Sequence, residues 1–215
     1  MRLGAVMDSQ NRVQWVYSSR NNQELAERYD QWAKDYDHDL EQDFEWLGPQ
    51  RAAEVFTKYV AKDSRILDAG AGTGLVGKFL LENGYSQIVA MDMSGGMLEE
   101  SRKKNVYQDF HQMVMGDRLG FETDSFDAVI SVGVLTVGHA PASSLDELVR
   151  ITRPGGFIVF SLRPDVYELA GFKEKQAELE AVGTWKLVEE SEKFQPLPKG
   201  EPEVLHQVWV YQVSR

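Results

Sequence analysis

A glycine-rich run, Gly70-Ala71-Gly72-Thr73-Gly74, follows the short apolar segment Ile66–Ala69. Glycines at this spacing let a ligand approach the backbone closely, because a Cβ would collide with it, and they permit positive φ angles. The backbone N–H groups of a helix that begins here would face that ligand. In open α/β sheets, ligands lie outside the carboxyl ends of the strands, where the strand order switches. The run therefore predicts a nucleotide site, and a tight strand-to-helix turn without a ligand is the alternative.

The spacing is Gly-x-Gly-x-Gly, whereas dinucleotide folds use Gly-x-Gly-x-x-Gly, and the acidic Asp68 stands two residues before Gly70. A carboxylate at this strand end would repel a pyrophosphate, but it would attract the ammonium group of an amino-acid moiety. The spacing and the acid thus favour a ligand with an amino-acid part over a dinucleotide.

Acidic residues also follow the next two predicted strands. Asp92 is placed to accept hydrogen bonds from both hydroxyls of a ribose, although Asp92 and Ser94 could equally cap the following helix. Asp117, after Gly116, could accept from the exocyclic amine of adenine while backbone N–H groups read its ring nitrogens. A plain Gly-Asp turn is the alternative at that position.

Short strands alternate with helices around these residues. Strands are predicted at 66–69, 87–91, 110–115, 126–132 and 156–162, with helices at 74–83, 95–105 and 143–152 between them. Such alternation predicts a parallel sheet with helices on both faces. After a helix at 166–181, the consecutive strands 184–190 and 204–213 must pair as an antiparallel hairpin. We therefore predict an α/β, Rossmann-like, seven-stranded and mostly parallel sheet.

The N-terminal segment has a helical pattern over 22–47, with Leu25, Tyr29, Trp32 and Tyr36 on one face. A second helix is predicted over 50–61. These aromatic side chains fit a helix face with a functional role. They fit equally well an ordinary amphipathic helix face that packs on the core. The many acidic residues around them predict a solvated helix surface.

These features together resemble the class I S-adenosylmethionine (SAM)-dependent methyltransferases. The resemblance includes the glycine run, the acids at the strand ends, Phe126-Asp127-Ala128-Val129 in the fourth strand and Arg153-Pro154-Gly155-Gly156 before the fifth. Three segments resemble, more narrowly, the Williams–Beuren syndrome region methyltransferase-like proteins: Tyr29-Asp30-Gln31-Trp32-Ala33-Lys34-Asp35-Tyr36-Asp37, Leu135-Thr136-Val137-Gly138-His139-Ala140-Pro141 and the turn Thr152-Arg153-Pro154-Gly155-Gly156. The likeness extends from Asp30 to the C-terminus.

The resemblance implies SAM as cofactor, S-adenosylhomocysteine (SAH) as its product, and a helix that covers the cofactor. We expect the cofactor to contact Tyr29, Tyr36, Asp68, Gly70, Ala71, Gly72, Thr73, Asp92, Met93, Met97, Gly116, Asp117, Arg118 and Val132.

His139, in the loop after the fourth strand, is the candidate general base for an acceptor that must lose a proton. A loop or capping role is the alternative for this histidine, and His206 on the last strand could face solvent. We expect in-line methyl transfer to a small-molecule acceptor, whose identity the sequence does not disclose. A non-catalytic SAM-binding regulator and a protein methyltransferase are the alternatives. A nucleotide-dependent dehydrogenase would need a different glycine spacing.

The overall composition of the chain limits the kinds of binding partner that we expect. The 215 residues carry a formal net charge of −11, with four histidines and no cysteine. Binding to a phosphate backbone rests on Lys and Arg, so no nucleic-acid partner is expected. Without cysteine, and with its histidines far apart, the chain is not expected to hold a metal. Neither a signal peptide nor an apolar run of ~18 to 20 residues is visible, so we expect a cytoplasmic protein without a membrane partner.

At this length we expect one domain. Residues 1–61 would form the lid and packing helices, 62–164 the cofactor-binding core, and 165–215 the helix and hairpin on the substrate side. A monomer or a homodimer is expected.

Overall fold

A seven-stranded sheet forms the centre of the protein in a computed structural model that describes residues 8–214. Its strands are β1 (Ile66–Ala69), β2 (Ile88–Asp92), β3 (Asp109–Gln112), β4 (Phe126–Ser131), β5 (Thr152–Leu162), β6 (Trp185–Glu190) and β7 (Gln207–Val213). The helices are α1 (Ser9–Tyr17), α2 (Asn22–His38), α3 (Gly48–Phe56), α4 (Leu75–Glu82), α5 (Gly95–Lys103), α6 (Ser144–Ile151), α7 (Pro164–Leu169) and α8 (Phe172–Ala181).

The strand order is β3-β2-β1-β4-β5-β7-β6. The strands β3, β2, β1, β4 and β5 run parallel, and β7 lies antiparallel between β5 and β6. The predicted fold class, with its C-terminal hairpin, is therefore confirmed. The strand order changes direction between β1 and β4, so the ligand crevice of an α/β sheet falls at their carboxyl ends.

Two apolar cores flank the sheet. Leu67 of β1 belongs to a core that includes Leu145 of α6 and Phe172 of α8. Its neighbour Ile66 belongs to a second core with Ala52 of α3 and Leu80 of α4. Because successive residues of a strand point to opposite faces, helices cover both faces, as the alternating pattern predicted.

The N-terminal region differs from its predicted form. The helix predicted over 22–47 ends at His38 and continues as one π-helical turn, Asp39–Asp43. The buried Asp39 at the start of this turn accepts hydrogen bonds from Trp32 Nε1 and Arg12 Nη1, both at 2.7 Å. Arg12 belongs to α1, a helix that the sequence pattern did not predict. The helical periodicity therefore predicted α2. It did not predict the C-terminal end of this helix, where Asp39 contacts Arg12 of α1.

Smaller differences affect element ends. The helix predicted over 166–181 divides into α7 and α8 at Gly171, which has a φ of 78°. The third strand stops at Gln112 instead of 115, and the fifth begins at Thr152 instead of 156. In the described range, no helix combines the length and the apolar character that crossing a membrane requires. The same residues contain no group of three or more side chains suited to hold a metal ion.

Candidate active site

A cleft lies at the carboxyl ends of β1, β2 and β4, beneath α2. The predicted site residues that line it are Tyr29, Tyr36, Gly70, Ala71, Gly72, Thr73, Asp92, Met93, Met97, Val132 and His139. The structure thus brings together residues from four separate parts of the chain. Met113 and Met115, which the sequence did not single out, add to its apolar wall.

The glycine run shapes the floor of the cleft in two ways. Gly70 has a φ of 84°, and a Cβ there would overlap the side chain of Val134. Gly72 has a φ of 53°, and no heavy atom lies within 4 Å of the position that its Cβ would take. Since Gly72 lines the cleft, this open space is where a ligand can approach the backbone.

Asp92 joins the glycine run to the start of α5. Its Oδ2 accepts the N–H of Gly72 at 2.8 Å, and its Oδ1 accepts the N–H of Ser94 at 2.9 Å. Burial raises the pKa of Asp92, and these backbone donors oppose that rise. The hydroxyl of Ser94 caps α5 by accepting the N–H of Met97 at 3.0 Å. Asp92 therefore faces the cleft with acceptor capacity left for two hydroxyl groups, while Ser94 alone caps the helix.

Asp68 lies behind the glycine run, outside the lining of the cleft. Its Oδ2 accepts the hydroxyl of Tyr107 at 2.6 Å, and its Oδ1 has no hydrogen-bond partner among the described residues. Burial raises the pKa of Asp68 to about 7. Its role toward an ammonium group stays a prediction, since the side chain reaches Tyr107 instead of the cleft.

The raised pKa of Asp68 predicts a pH dependence of stability. Between about pH 4 and 7 the folded protein holds a proton on Asp68 that the unfolded chain releases, so the free energy of unfolding should fall as pH rises across this window. His206, whose pKa is lowered to about 4, contributes the opposite slope. We therefore expect the Asp68→Asn variant to differ from the wild type by a pH-dependent amount on the order of 3 kcal/mol.

Urea unfolding of both proteins without ligand at pH 5, 6, 7 and 8 measures this difference. The Asn variant should gain stability relative to the wild type as pH increases. Parallel pH profiles for the two proteins would contradict the assignment of a raised pKa to Asp68.

The remaining predicted residues, Gly116, Asp117 and Arg118, are exposed and lie outside the lining of the cleft. The strand that should carry them to the site ends at Gln112, and the apolar side chains of Met113 and Met115 take their place at the wall. Their contact with adenine stays a prediction.

The α2 helix covers the cleft with two tyrosines. Tyr29 and Tyr36 line it, and their ring centroids are 6.3 Å apart. The hydroxyl of Tyr29 shares a hydrogen bond of 2.8 Å with Nε2 of His139, which belongs to the loop after β4. Burial lowers the pKa of His139, and a backbone hydrogen bond with Val137 opposes this. The imidazole is therefore neutral near pH 7 and can accept a proton.

Two aspartates of α2 hold this helix against the glycine run and against α5. Asp30 Oδ1 accepts the hydroxyl of Ser94 at 2.6 Å and the N–H of Gly96 at 2.8 Å. Asp37 accepts the hydroxyl of Thr73 and the ammonium of Lys104. The acidic pattern had predicted a solvated surface; Asp30 is exposed as expected, but both carboxylates also make hydrogen bonds to other elements, which the pattern did not show. Their spacing of seven positions, the same as that of Tyr29 and Tyr36, was the signal that could have identified them.

This sheet, with a glycine run at its switch point and a carboxylate after the next strand, defines a nucleotide-binding protein of the methyltransferase class. A protein-family model described as a methyltransferase domain matches residues 67–160 of the chain. The chain is 30% identical over 189 residues to human methyltransferase-like protein 27, and the alignment covers 85% of this chain and 76% of that protein. The chain therefore belongs to the class I SAM-dependent methyltransferases, and its cofactor is SAM.

Further similarities agree with this family. The demethylmenaquinone methyltransferase of Clavibacter sepedonicus is 46% identical over 98 residues, which cover 44% of this chain but only 39% of that enzyme. Among solved structures, the [4+2]-cyclase SpnF has a TM-score of 0.70 at 12% identity, covering 91% of this chain and 98% of that one. A Haloferax volcanii putative methyltransferase, solved with the Trm112 activator, has a TM-score of 0.64 at 17% identity, covering 87% and 98%. These structural similarities concern the fold alone.

Proposed function

We propose that the protein transfers the methyl group of SAM in line to a small-molecule acceptor. The observation that carries this proposal is the covered cleft: α2 lies over it, held by Asp30 and Asp37, and the Tyr29–His139 hydrogen bond spans it. A covered site excludes water and orients a small acceptor. A folded protein surface or a duplex would have to displace α2. Demethylmenaquinone, for which several relatives are named, is also a small molecule.

SAM carries its methyl group on a sulfonium, and the thioether that remains after transfer leaves without assistance. The protein therefore contributes chiefly the alignment of the methyl group with the acceptor. We assign Asp92 to the ribose hydroxyls, because it faces the cleft with free acceptor capacity. The open space at Gly72 fits the close approach of a ligand to the backbone. The apolar wall is suited to adenine, and it includes Met93, Met97 and Val132. Tyr29 and Tyr36 exclude water from above.

We propose the narrower relationship to the Williams–Beuren syndrome region methyltransferase-like proteins on the three segments that resemble them, two of which contribute to the cleft. The segment 29–37 forms the part of α2 that covers the cleft, and the segment 135–141 carries His139 against it. Both segments thus contribute to the site itself.

His139 is the proposed general base. It lines the cleft as a neutral imidazole, so it can take a proton from a hydroxyl, an acidic carbon or an ammonium group of the acceptor. We expect the His139→Gln variant to lower kcat by about 100-fold, within the usual range for general bases, with SAM affinity changed by less than about 3-fold. Because burial lowers the pKa of His139, wild-type activity should persist below pH 6.5 and decline only as pH falls through that lower pKa.

The rate of SAH formation over pH 5 to 8 measures this effect, with an acceptor-containing extract as the substrate source. Tyr29→Phe is the matched control, since it removes the same hydrogen bond and retains the imidazole. An equal loss of activity in both variants would assign His139 a positioning role instead.

The proposed function is tested with SAM that carries a labelled methyl group. The protein is incubated with a cell extract separated into small-molecule and protein fractions, and the label should pass to the small-molecule fraction. Label in the protein fraction alone would indicate a protein methyltransferase. Tight binding of SAM without any transfer would indicate a non-catalytic SAM-binding protein. Either result would overturn the proposal.

A further inference from the structure

A second cavity adjoins the cofactor cleft. The two share the lining residues Tyr29, Tyr36, Trp46 and Gly133. The hydroxyl of Ser161, which also lines the second cavity, accepts the N–H of Gly133 at 2.9 Å. A molecule in the second cavity would therefore meet the cleft between α2 and the carboxyl ends of β4 and β5.

The walls of this cavity are mostly apolar, and separate parts of the chain contribute to them. Helix α1 supplies Val13, α2 supplies Trp32, and the loop before β7 supplies Leu197 and Val204. The aromatic side chains of α2 stand close together, with the rings of Trp32 and Tyr36 separated by 4.8 Å. Flat apolar molecules match such walls, because their burial removes apolar surface from water and allows ring stacking.

One guanidinium, of Arg163, interacts with two carboxylates at this cavity, those of Asp165 and Glu201. The guanidinium of Arg163 donates from Nε and Nη2 to the carboxylate of Asp165 at 3.0 and 2.7 Å, and the Glu201 carboxylate also lines the cavity. Burial and the nearby Arg163 lower the pKa of His206 to about 4. His206 is partly buried in the wall of the cavity. It offers a neutral imidazole to whatever lies beside it.

We propose that this cavity holds the methyl acceptor, and that the acceptor is an uncharged, largely apolar aromatic molecule. Its one hydrogen-bonding end lies against His206 and Arg163, and the opposite end reaches the cofactor cleft past Tyr29 and Tyr36. Arg163 already has a carboxylate partner, so an added anion would compete with Asp165. A cation would lose its hydration and meet the guanidinium of Arg163, with which the Glu201 carboxylate already interacts. This inference rests on the proposed methyltransferase function and specifies the class of its substrate.

Three naphthalene probes that differ mainly in charge test the proposal: 2-naphthol is neutral, 2-naphthoate is an anion and 2-naphthylmethylammonium is a cation. Each is titrated by calorimetry at pH 7 into the full-length protein saturated with SAH, which keeps the cofactor cleft filled. We expect 2-naphthol to bind at least about 10-fold more tightly than either charged probe. A preference for the anion or the cation would overturn the assigned substrate class.

Two leucine variants locate the bound probe. Leu197→Trp fills part of the cavity wall, whereas Leu169→Trp adds the same side chain at a position that is 86% exposed. We expect L197W to weaken 2-naphthol binding by at least about 10-fold and L169W to leave it unchanged, with SAH affinity unaffected in both. Equal binding to L197W and the wild type would exclude this cavity. Failure of SAH itself to bind would contradict the methyl-donor site, and the inference would fall with it.

Discussion

The Gly72→Ala substitution is expected to weaken SAM binding by at least about 100-fold. The added Cβ would project into open space on the floor of the cleft, where no heavy atom lies within 4 Å. A methyl group there would separate the ligand from the backbone that it must approach. A loss of this size corresponds to about 2.7 kcal/mol, measured by calorimetric titration with SAM or SAH.

Gly84→Ala is a matched control for this prediction. Gly84 also has a positive φ, 88° against 53° for Gly72, and its Cβ would likewise meet nothing within 4 Å. Both variants should therefore lose about 1 kcal/mol of stability from the left-handed backbone, while only G72A loses affinity. Equal affinities of the two variants for SAM would show that the ligand does not approach Gly72.

The predicted residues that the structure brings to the cleft are those specified by short stretches of chain. Gly72 and Asp92 follow directly from the ends of β1 and β2, and parallel strands bring their carboxyl ends to one edge of the sheet. The sheet itself followed from the alternation of strands and helices, and its antiparallel pair followed from two strands without a helix between them. Tyr29 and Tyr36 were found through the periodicity of α2 and through the family resemblance.

The parts that were missed depend on contacts between distant elements. Asp30 reaches Ser94, which is 64 positions away, and Asp37 reaches Lys104, 67 positions away. A charge pattern on one helix cannot show whether water or another helix faces it. The side chain of Asp68 turned away from the cleft for a similar reason, because the Tyr107 hydroxyl that it meets is 39 positions further on.

The second cavity is a further example of this limit. Its wall combines α1, which the hydrophobic pattern did not reveal, with the loop before β7. His206 on the last strand could have faced solvent, because strands alternate in and out. The structure leaves it partly exposed, as a lining residue of the second cavity.

The Asp92→Asn substitution is the second large expected effect, again a loss of about 100-fold or more in SAM affinity. The carboxylate already accepts from Gly72 and Ser94, and its remaining lone pairs face the cleft. Two charge-assisted hydrogen bonds to ribose hydroxyls would each contribute about 1.5 to 3 kcal/mol, and the amide cannot accept both. Calorimetric titration with SAH measures the loss directly.

The stability of the same variant separates ligand binding from a structural role. Burial raises the pKa of Asp92, so its charged form costs folding free energy when no ligand is bound. The amide removes that cost but leaves one backbone N–H without a good acceptor, and the two changes oppose each other. We therefore expect the melting temperature of the ligand-free variant to stay close to that of the wild type. The exposed Asp109, which lies outside the cleft, provides the control Asp109→Asn, for which SAH affinity should be unchanged. A large loss of stability in D92N with retained SAH affinity would assign Asp92 to the loop alone, because a residue that binds the ribose must show the reverse pattern.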